Sequence, residues 1–574
     1  MAGLVSAPWL ADRRRFLSEA AATRGVSPLT RPNGRRLLWF IVVCGLLVAA
    51  PTATAAASDT SDQPGETAGR IVELYPNPTT DGNRGEYATV RLTEPGNWTL
   101  TDGEGTVRFP EEAGRFAATW APERTTDYTD ATPVAAGGSF RLAVGGETLR
   151  LERDGRVVDR VSYDDAPESQ QWHAGDGWRP LGFEPRAPVT ARNVSVTPFV
   201  LPDAPAAPVE AISDADERLF VAAYTLTDRR VVDALLAARE RGVETAVLVE
   251  GDPVGGMSTR QAAALDRLAA GGVAVNVMTG PAARFRFHHA KYAVADDRAV
   301  VLTENWKPAG TGGASSRGWG VTVDTERVAD ELAAVFTHDT GWKDTPRWRA
   351  VRDEIETVES EPAAGSYRQR HPPQPTTADA VTVLAAPDNA ERELVELIDR
   401  TDERLLVVQP SIGTRDYALL RAAMRAAERG VEVQILLGGN WYNGDENERL
   451  ADRLRERVAD SEVPLSVRIA ADNRRFGKIH AKGIVADDTA VVGSLNWNNN
   501  AAENNRELAV AITDPAVADY YRQVFVGDWQ AGSDTGWLGG ALPAELPAGL
   551  LVVAVGVSSG TILIAHRRLE FAEE

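Results

Sequence analysis

Two stretches of the chain place apolar runs and an amphipathic helical pattern in the same order. In the first stretch, apolar runs at 219–223 and 245–249 enclose a helical pattern at 229–241. In the second stretch, the corresponding runs and helical pattern lie at 405–408, 433–437 and 416–429. Apolar runs of this length are typical of buried strands. Strand-helix-strand units predict a mostly parallel sheet flanked by helices, here built twice.

The segment 69–165 has a different pattern. Short runs in which apolar and polar residues alternate are separated by Gly and Asp turns, and they lie at 71–74, 87–92, 106–109, 140–144, 148–152 and 157–161. Alternation with a period of two is typical of half-buried strands. This pattern predicts an antiparallel β-sandwich over 69–165.

The N-terminal region carries an apolar run at 37–50. It follows Arg35 and Arg36 and precedes the small residues of 52–57, which predicts an export segment over 1–57. The pattern leaves open whether the Sec or the Tat route is used and whether the segment is cleaved.

The C-terminal region carries a second apolar segment. Residues 547–565 are nineteen positions without a charged side chain, enough to span a bilayer, and predict a transmembrane helix. Because a basic cluster follows directly, the positive-inside rule places the tail 566–574 in the cytoplasm. We therefore expect the body of the protein at the cell surface, exported and anchored in the membrane.

Changes in composition divide the middle of the chain. Pro-rich stretches predict linkers at 200–209 and 361–378. We expect the first α/β repeat at 210–345 and the second at 379–535. The predicted fold class is a duplicated α/β fold with two mixed or parallel sheets, preceded by the sandwich and followed by the transmembrane helix.

The charge is strongly acidic. The formal net charge is -21, which resembles the composition of proteins from salt-loving microbes. Molar salt shortens the Debye length to roughly 3 Å and removes most long-range repulsion between an acidic surface and an anionic substrate. The net charge therefore does not exclude nucleic acid or phospholipid as the substrate. Cys44, the only cysteine, lies in the export segment, which excludes disulfides and cysteine-based zinc sites from the mature chain.

A short chemical motif occurs once in each repeat. The spacing His-x-Lys-x-x-x-x-Asp is found at His289, Lys291 and Asp296 and again at His480, Lys482 and Asp487. Segments 289–306 and 480–497 align without a gap and both end in Asn-Trp, at Asn305 and Asn496 with the tryptophans that follow. The second copy also contains Ser494 and continues to Glu507. A repeat of this length is typical of a domain duplication.

This duplicated motif resembles that of the phospholipase D superfamily, the HKD phosphodiesterases, over about 207–535. The resemblance implies that the two repeats pair within one chain and meet to form one active site. The phrases IVELYPNP, NWTLTDGEG and LRLERDGRVVDRVSY within 69–165 resemble the lamin-tail domain, an immunoglobulin-like module found beside extracellular nucleases and phosphoesterases. No ligand can be assigned to that domain.

The chemistry of phosphodiester cleavage explains the residue types of the motif. One histidine can attack phosphorus while the other protonates the leaving group and then activates water. Lys291 and Lys482 would neutralise the nonbridging oxygens, with Asn305 and Asn496 donating hydrogen bonds. The scheme requires no metal or other cofactor. Ser494, Glu507, Asp296 and Asp487 are supporting residues, and the two aspartates are expected to be structural.

The two copies differ at one carboxylate. An alignment on Arg317 and Arg506 places Gly318 opposite Glu507. In the family this glutamate commonly orients the neighbouring histidine, so we expect Glu507 to contact His480 and favour its charged form. His289 would then stay neutral and act as the nucleophile.

The sequence predicts an extracytoplasmic, membrane-anchored phosphodiesterase that forms a phosphohistidine intermediate. Its substrate is a phosphodiester, in nucleic acid or phospholipid. A phospholipase D or phosphatidyltransferase acting on lipids is one alternative. A catalytically weakened protein that binds phosphate groups or mediates adhesion at the cell surface is another. The sequence does not indicate an oligomeric state.

Overall fold

The computed structural model describes residues 68–137, 139–280, 282–413, 417–440, 443–470 and 474–531. The predicted export segment, transmembrane helix and cytoplasmic tail lie outside these residues. Within the described ranges, no helix is both long enough and apolar enough to cross a bilayer.

Residues 69–180 form two sheets around one apolar core. Strands β1 to β10 span Gly69–Tyr75, Tyr87–Leu92, Trp98–Thr101, Thr106–Arg108, Gly114–Thr119, Thr132–Ala135, Glu147–Arg153, Arg156–Tyr163, Gln170–His173 and Gly177–Pro180, with a 3-10 turn at Asp81–Asn83 and helix α1 at Pro122–Thr125. The sheet orders are β10-β9-β1-β2-β5-β6 and β4-β3-β7-β8. Ile71, Trp98 and Leu149 belong to the core that the sheets share. The lamin-tail-like identity of this region stays a prediction.

The two repeats contribute to one large sheet. Strands β11 to β18 span Val189–Leu201, Arg218–Ala223, Glu244–Glu250, Met257–Ser258, Ala274–Met278, Tyr292–Ala295, Arg298–Leu302 and Ser316–Asp324. Strands β19 to β27 span Thr357–Val358, Thr376–Ala386, Arg404–Gln409, Glu432–Leu437, Leu465–Ile469, Lys478–Ile479, Gly483–Ala486, Thr489–Gly493 and Glu507–Thr513.

The order of this sheet is symmetric about its centre. From β11 outward it runs β18, β17, β16, β12, β13 and β15, and from β20 outward it runs β27, β26, β25, β21, β22 and β23. In each half the outer three strands are parallel and the inner pairings are antiparallel, which confirms the predicted duplicated fold with mixed strand directions. The prediction of two sheets is corrected, because β11 and β20 pair along their length and join both halves into one sheet.

Helices cover both faces of the large sheet. Helices α2 to α11 span Ala207–Ser213, Arg229–Arg241, Thr259–Ala270, Glu326–Thr340, Trp348–Val351, Ala390–Arg400, Ala418–Glu428, Gly444–Val458, Asn499–Glu503 and Pro515–Ala531. On one face, α5 and α11 pack in a core that contains strand residues of both repeats, such as Val294 and Val485. On the other face, each repeat has its own core, around Leu235 of α3 and Leu420 of α8.

The predicted strand-helix-strand units are confirmed, and α3 illustrates their local causes. The Asp228 side chain accepts a hydrogen bond from the backbone N–H of Arg230, which caps the first turn. Gly242 ends the helix with a φ of 95°, a left-handed conformation that glycine adopts without a steric penalty.

Candidate active site

Each motif histidine lies in an extended segment that is hydrogen-bonded to the other repeat. The N–H of His289 donates to the carbonyl oxygen of Arg506 at 2.9 Å, and the N–H of Arg506 donates to that of Phe287 at 2.9 Å. In the same way, the N–H of His480 donates to the carbonyl oxygen of Arg317 at 3.0 Å. Arg317 and Arg506 are equivalent in the two repeats, so the halves exchange the same contact.

Glu507 contacts His289, not His480. The Nδ1 atom of His289 lies 2.8 Å from Oε1 and 2.9 Å from Oε2 of Glu507, and Asn505 donates its Nδ2 hydrogen to Oε1 at 3.0 Å. The prediction that Glu507 contacts His480 is therefore wrong. Its physical reason is that Glu507 directly follows Arg506, whose backbone is paired with the first repeat.

His480 has a carboxylate of its own, which the sequence comparison missed. Oε2 of Glu304 lies 3.2 Å from Nδ1 of His480, an ion-pair distance without the angles of a hydrogen bond. A Cβ atom on Gly318 would lie 2.1 Å from Cγ of Glu304, so the glycine provides the space that Glu304 fills. The expectation that the first repeat lacks the carboxylate is wrong. The signal was Glu304 itself, which aligns with Leu495 in the second copy.

The two motif lysines are buried beside the histidines. Nζ of Lys291 donates to the carbonyl oxygen of His289 at 2.5 Å, and Nζ of Lys482 donates to that of His480 at 2.7 Å. Their exposed fractions are 1% and 3%, whereas the imidazoles of His289 and His480 keep 12% and 18%. The two imidazole rings are thus partly accessible, while the lysine side chains behind them are shielded from water.

Buried arginines fix the segments that cross between the repeats. Arg506 forms ion pairs with Asp339 at 2.9 Å and Asp388 at 2.5 Å. Arg317 pairs with Asp203 at 2.5 Å and Asp528 at 2.7 Å. A buried guanidinium between two carboxylates has a strict geometry, because an unpaired buried charge is costly. These pairs hold the backbone that contacts each motif histidine.

Three of the predicted supporting residues, Ser494, Asn305 and Asn496, differ in their burial and in their hydrogen bonds. Ser494 has a structural role, because its Oγ accepts from the N–H of Leu508 at 3.0 Å. Asn305 is 2% exposed, and its Oδ1 has no hydrogen-bond partner among the described residues. Asn496 is partly buried.

The carboxylates of the motif aspartates accept hydrogen bonds from the backbone. Asp296 accepts hydrogen bonds from the N–H groups of residues 216, 217 and 218, and Asp487 accepts from those of 402, 403 and 404, all at 2.8–3.0 Å. Both aspartates thus close the loop that leads into an equivalent strand, β12 in the first repeat and β21 in the second.

The two histidines are neutral at pH 7 in the free site. Burial lowers the pKa of His289 to about 4, with Lys291 acting in the same direction and Glu507 opposing it. Burial, Lys482 and Lys291 lower the pKa of His480 well below its usual value. A neutral imidazole has a lone pair that can attack an electrophile.

The two carboxylates differ in charge. Burial raises the pKa of Glu304 to about 7, although Lys482 opposes this. Burial also favours the protonated form of Glu507, but His289 and Lys291 outweigh it, so its pKa lies below the usual value. Burial lowers the pKa of Lys482 to about 7. At neutral pH, Glu507 is therefore ionised, whereas Glu304 is only partly ionised.

Comparisons with known proteins identify the domains that contain these residues. Residues 209–340 and 394–529 match the family model described as "Cardiolipin synthase, PLD-like domain". No curated protein matches the chain.

Similar solved structures include a phosphatidylserine synthase from Haemophilus influenzae Rd KW20, at 14% identity with 58% of this chain and 85% of that chain covered and a TM-score of 0.43. NucT from Helicobacter pylori has 23% identity, covers 26% of this chain and 96% of its own, and has a TM-score of 0.22. Nuc from Salmonella typhimurium, a phospholipase D family member, has 21% identity, coverages of 26% and 95%, and a TM-score of 0.22. At these TM-scores the likenesses support no inference about function. From the family model, the chain contains two phospholipase D-like domains, one in each repeat.

Proposed function

We propose that the protein is a phosphodiesterase in which His289 is the nucleophile and His480 is the general acid and base. One observation carries the proposal. Two accessible imidazoles from opposite repeats are each backed by a buried carboxylate and each flanked by a buried lysine. This arrangement supplies a nucleophile, a proton carrier and positive charge for one phosphodiester.

The reaction follows two displacement steps. Nε2 of His289 attacks phosphorus, the bond to the leaving oxygen breaks, and that oxygen takes a proton from neutral His480, whose ring receives the proton of Glu304 in the same step. Water then attacks the phosphohistidine and gives a proton to His480, and the phosphorus–nitrogen bond breaks to restore His289. Lys291 and Lys482 neutralise the nonbridging oxygens in both steps.

The role of His289 rests on its contact with Glu507. A carboxylate that accepts the Nδ1 hydrogen leaves the Nε2 lone pair free for attack. The negative charge of Glu507 also stabilises the positive charge that the ring gains when it bonds to phosphorus. The roles assigned to His289 and His480 are those that the sequence suggested. The reason differs, because Glu507 contacts the nucleophile His289 and not the acid His480.

Glu304 suits the proton-carrying half. Because its pKa is raised to about 7, the Glu304–His480 pair holds a proton at and below neutral pH. That proton is available for the leaving group, and its return accompanies attack by water.

The setting of the enzyme is proposed from sequence. The export segment at 1–57 and the helix at 547–565 support a membrane-anchored enzyme outside the cytoplasm, preceded by a lamin-tail-like, immunoglobulin-like domain at 69–165. Phospholipid hydrolysis or phosphatidyl transfer, and phosphate binding without turnover, are the outcomes against which the proposal is tested.

The test uses the full chain with bis(p-nitrophenyl) phosphate, at several salt concentrations and with EDTA present. We expect turnover that survives EDTA, that is lost in His289→Ala and that is strongly reduced in His480→Ala. Equal rates for the wild type and His289→Ala would refute the proposal and favour the binding protein. Release of labelled phosphatidyl groups to an alcohol from phospholipid vesicles would favour the transferase.

A further inference from the structure

An aromatic surface lies beside His289. Residues 287–289 are extended, so alternate side chains point to the same side. His288 is 0% exposed, whereas Phe287 and His289 on either side of it are both partly exposed. Phe287 and His289 therefore face the same accessible side of the segment.

Tyr224 connects these two rings. Its ring centroid lies 6.0 Å from that of Phe287 and 4.8 Å from that of His289, with interplanar angles of 90° and 76°. The guanidinium of Arg286, which is exposed, lies 5.2 Å from the centroid of Phe287. Tyr224 is 4% exposed, so the part of this cluster that faces solvent is Phe287 with the guanidinium of Arg286.

The second repeat lacks this surface. In the gapless alignment, Lys478 replaces Phe287 and Gly477 replaces Arg286. Pro410 replaces Tyr224, because it follows the equivalent strand. The groups on the two sides of a bound phosphodiester would therefore meet different chemistry, an aromatic surface at His289 and a cation at His480.

We propose that Arg286 and Phe287 form a subsite that stacks a nucleobase next to the scissile phosphate. The substrate class is then single-stranded nucleic acid, whose bases are free to stack on aromatic rings and on guanidinium planes. This inference rests on the proposed phosphodiesterase function and gives it a substrate.

The surroundings favour a base over a lipid. An exposed guanidinium repels the quaternary ammonium of a choline headgroup, which otherwise binds aromatic surfaces. A large exposed apolar patch is a feature that marks contact with a bilayer. In the described ranges, Val157 and Val254 are the large hydrophobic residues that are clearly exposed, and they lie in different domains.

The test compares two fluorescent oligonucleotides of equal length and charge. One carries bases, and the other consists of abasic tetrahydrofuran units. Kd is measured by fluorescence anisotropy with the full chain, and hydrolysis of the same strands is followed separately. We expect the wild type to bind the base-bearing strand about tenfold more tightly, since stacking of one base contributes about that factor. Phe287→Ala removes this difference and leaves the Kd of the abasic strand unchanged, while Phe287→Trp restores it.

Lys478→Ala, at the matching position of the second repeat, is the control. It is expected to weaken binding of both strands equally, with an effect that shrinks as salt rises. The Phe287 effect persists at high salt, because stacking is not screened.

The outcomes separate the two proposals. Base-independent binding by the wild type, or an unchanged Kd in Phe287→Ala, overturns the subsite even if hydrolysis occurs. Base-dependent binding without hydrolysis keeps the subsite and refutes the phosphodiesterase. Hydrolysis of phosphatidylglycerol vesicles combined with base-independent binding would make lipid the substrate.

Discussion

His289 and His480 occupy equivalent positions in the two repeats, but their carboxylates come from different places. Glu507 begins strand β27 directly after Arg506, whose backbone is paired with the first repeat, and both of its oxygens lie within 2.9 Å of His289. Glu304 belongs to the first repeat's own motif segment and lies 3.2 Å from His480. The pKa of Glu507 is below its usual value, whereas that of Glu304 is raised to about 7 by burial. A duplicated scaffold thus carries one half-site with a fixed charge and one with an exchangeable proton.

The largest expected effect separates the two histidines by their roles. p-Nitrophenolate is a good leaving group that needs no protonation, so His480→Ala should still allow the first displacement on bis(p-nitrophenyl) phosphate. We expect a burst of about one p-nitrophenolate per active site, followed by slow turnover. His289→Ala should give no burst and lose more than about 10⁴-fold in rate. Rapid-quench or stopped-flow absorbance measures both.

The reverse pattern would exchange the roles. A burst in His289→Ala together with none in His480→Ala would make His480 the nucleophile, and the fixed charge of Glu507 would then serve the acid.

The next largest effect tests whether Glu304 replaces the glutamate that position 318 lacks. Glu304→Leu copies Leu495 of the second repeat and is expected to reduce kcat about 10- to 100-fold, as loss of an orienting partner does elsewhere. The double variant Glu304→Ala/Gly318→Glu moves the carboxylate to position 318, where the second repeat has Glu507. It should recover much of the loss, because alanine at 304 lacks the Cγ that would lie 2.1 Å from a Cβ at 318.

Thermal unfolding of both variants provides the control, since the recovery must appear in kcat at equal folded fraction. A double variant that folds but is no more active than Glu304→Leu would show that the position of Glu304, and not its carboxylate, is required.

These two carboxylates also mark the limit of prediction from sequence. The duplicated motif, the strand-helix-strand units and the structural role of Asp296 and Asp487 follow from local spacing. The contact between Glu507 and His289 does not, because it depends on pairing between segments more than 200 positions apart. The joining of β11 to β20 is equally long-range. The sequence shows that the two copies differ at Glu304. Its contact with His480 could not be predicted, because it depends on the space that Gly318 leaves.

A smaller effect concerns pH. Activity is expected to fall below about pH 4, where His289 becomes protonated, and above about pH 7, where Glu304 loses its proton and Lys482 its charge. In Glu304→Gln the remaining alkaline limb belongs to Lys482 and Lys291, because burial lowers the pKa of both lysines. It should shift to lower pH, because the Glu304 charge no longer raises the pKa of either lysine. The kcat/KM profile from acid to alkaline pH measures this, and Glu507→Gln should shift the alkaline limb to lower pH as well, because the Glu507 charge also raises the pKa of both lysines. An alkaline limb that moves in Glu507→Gln but not in Glu304→Gln would reverse the comparison between the halves.

The smallest expected effect is a loss of stability that should be equal in the two repeats. Asp296 and Asp487 accept three backbone hydrogen bonds each, in the same geometry, at the start of their repeats. Replacement by Asn turns one acceptor oxygen into a donor that faces backbone N–H groups, so each variant should lose about 1 kcal/mol of unfolding free energy. Denaturant unfolding measures the loss, and kcat at equal folded fraction should stay at the wild-type value. A fall in kcat in only one of the two variants would show that these loops also differ in function between the repeats. Equal stability losses without a change in kcat would show that the functional difference lies in the carboxylates that contact His289 and His480.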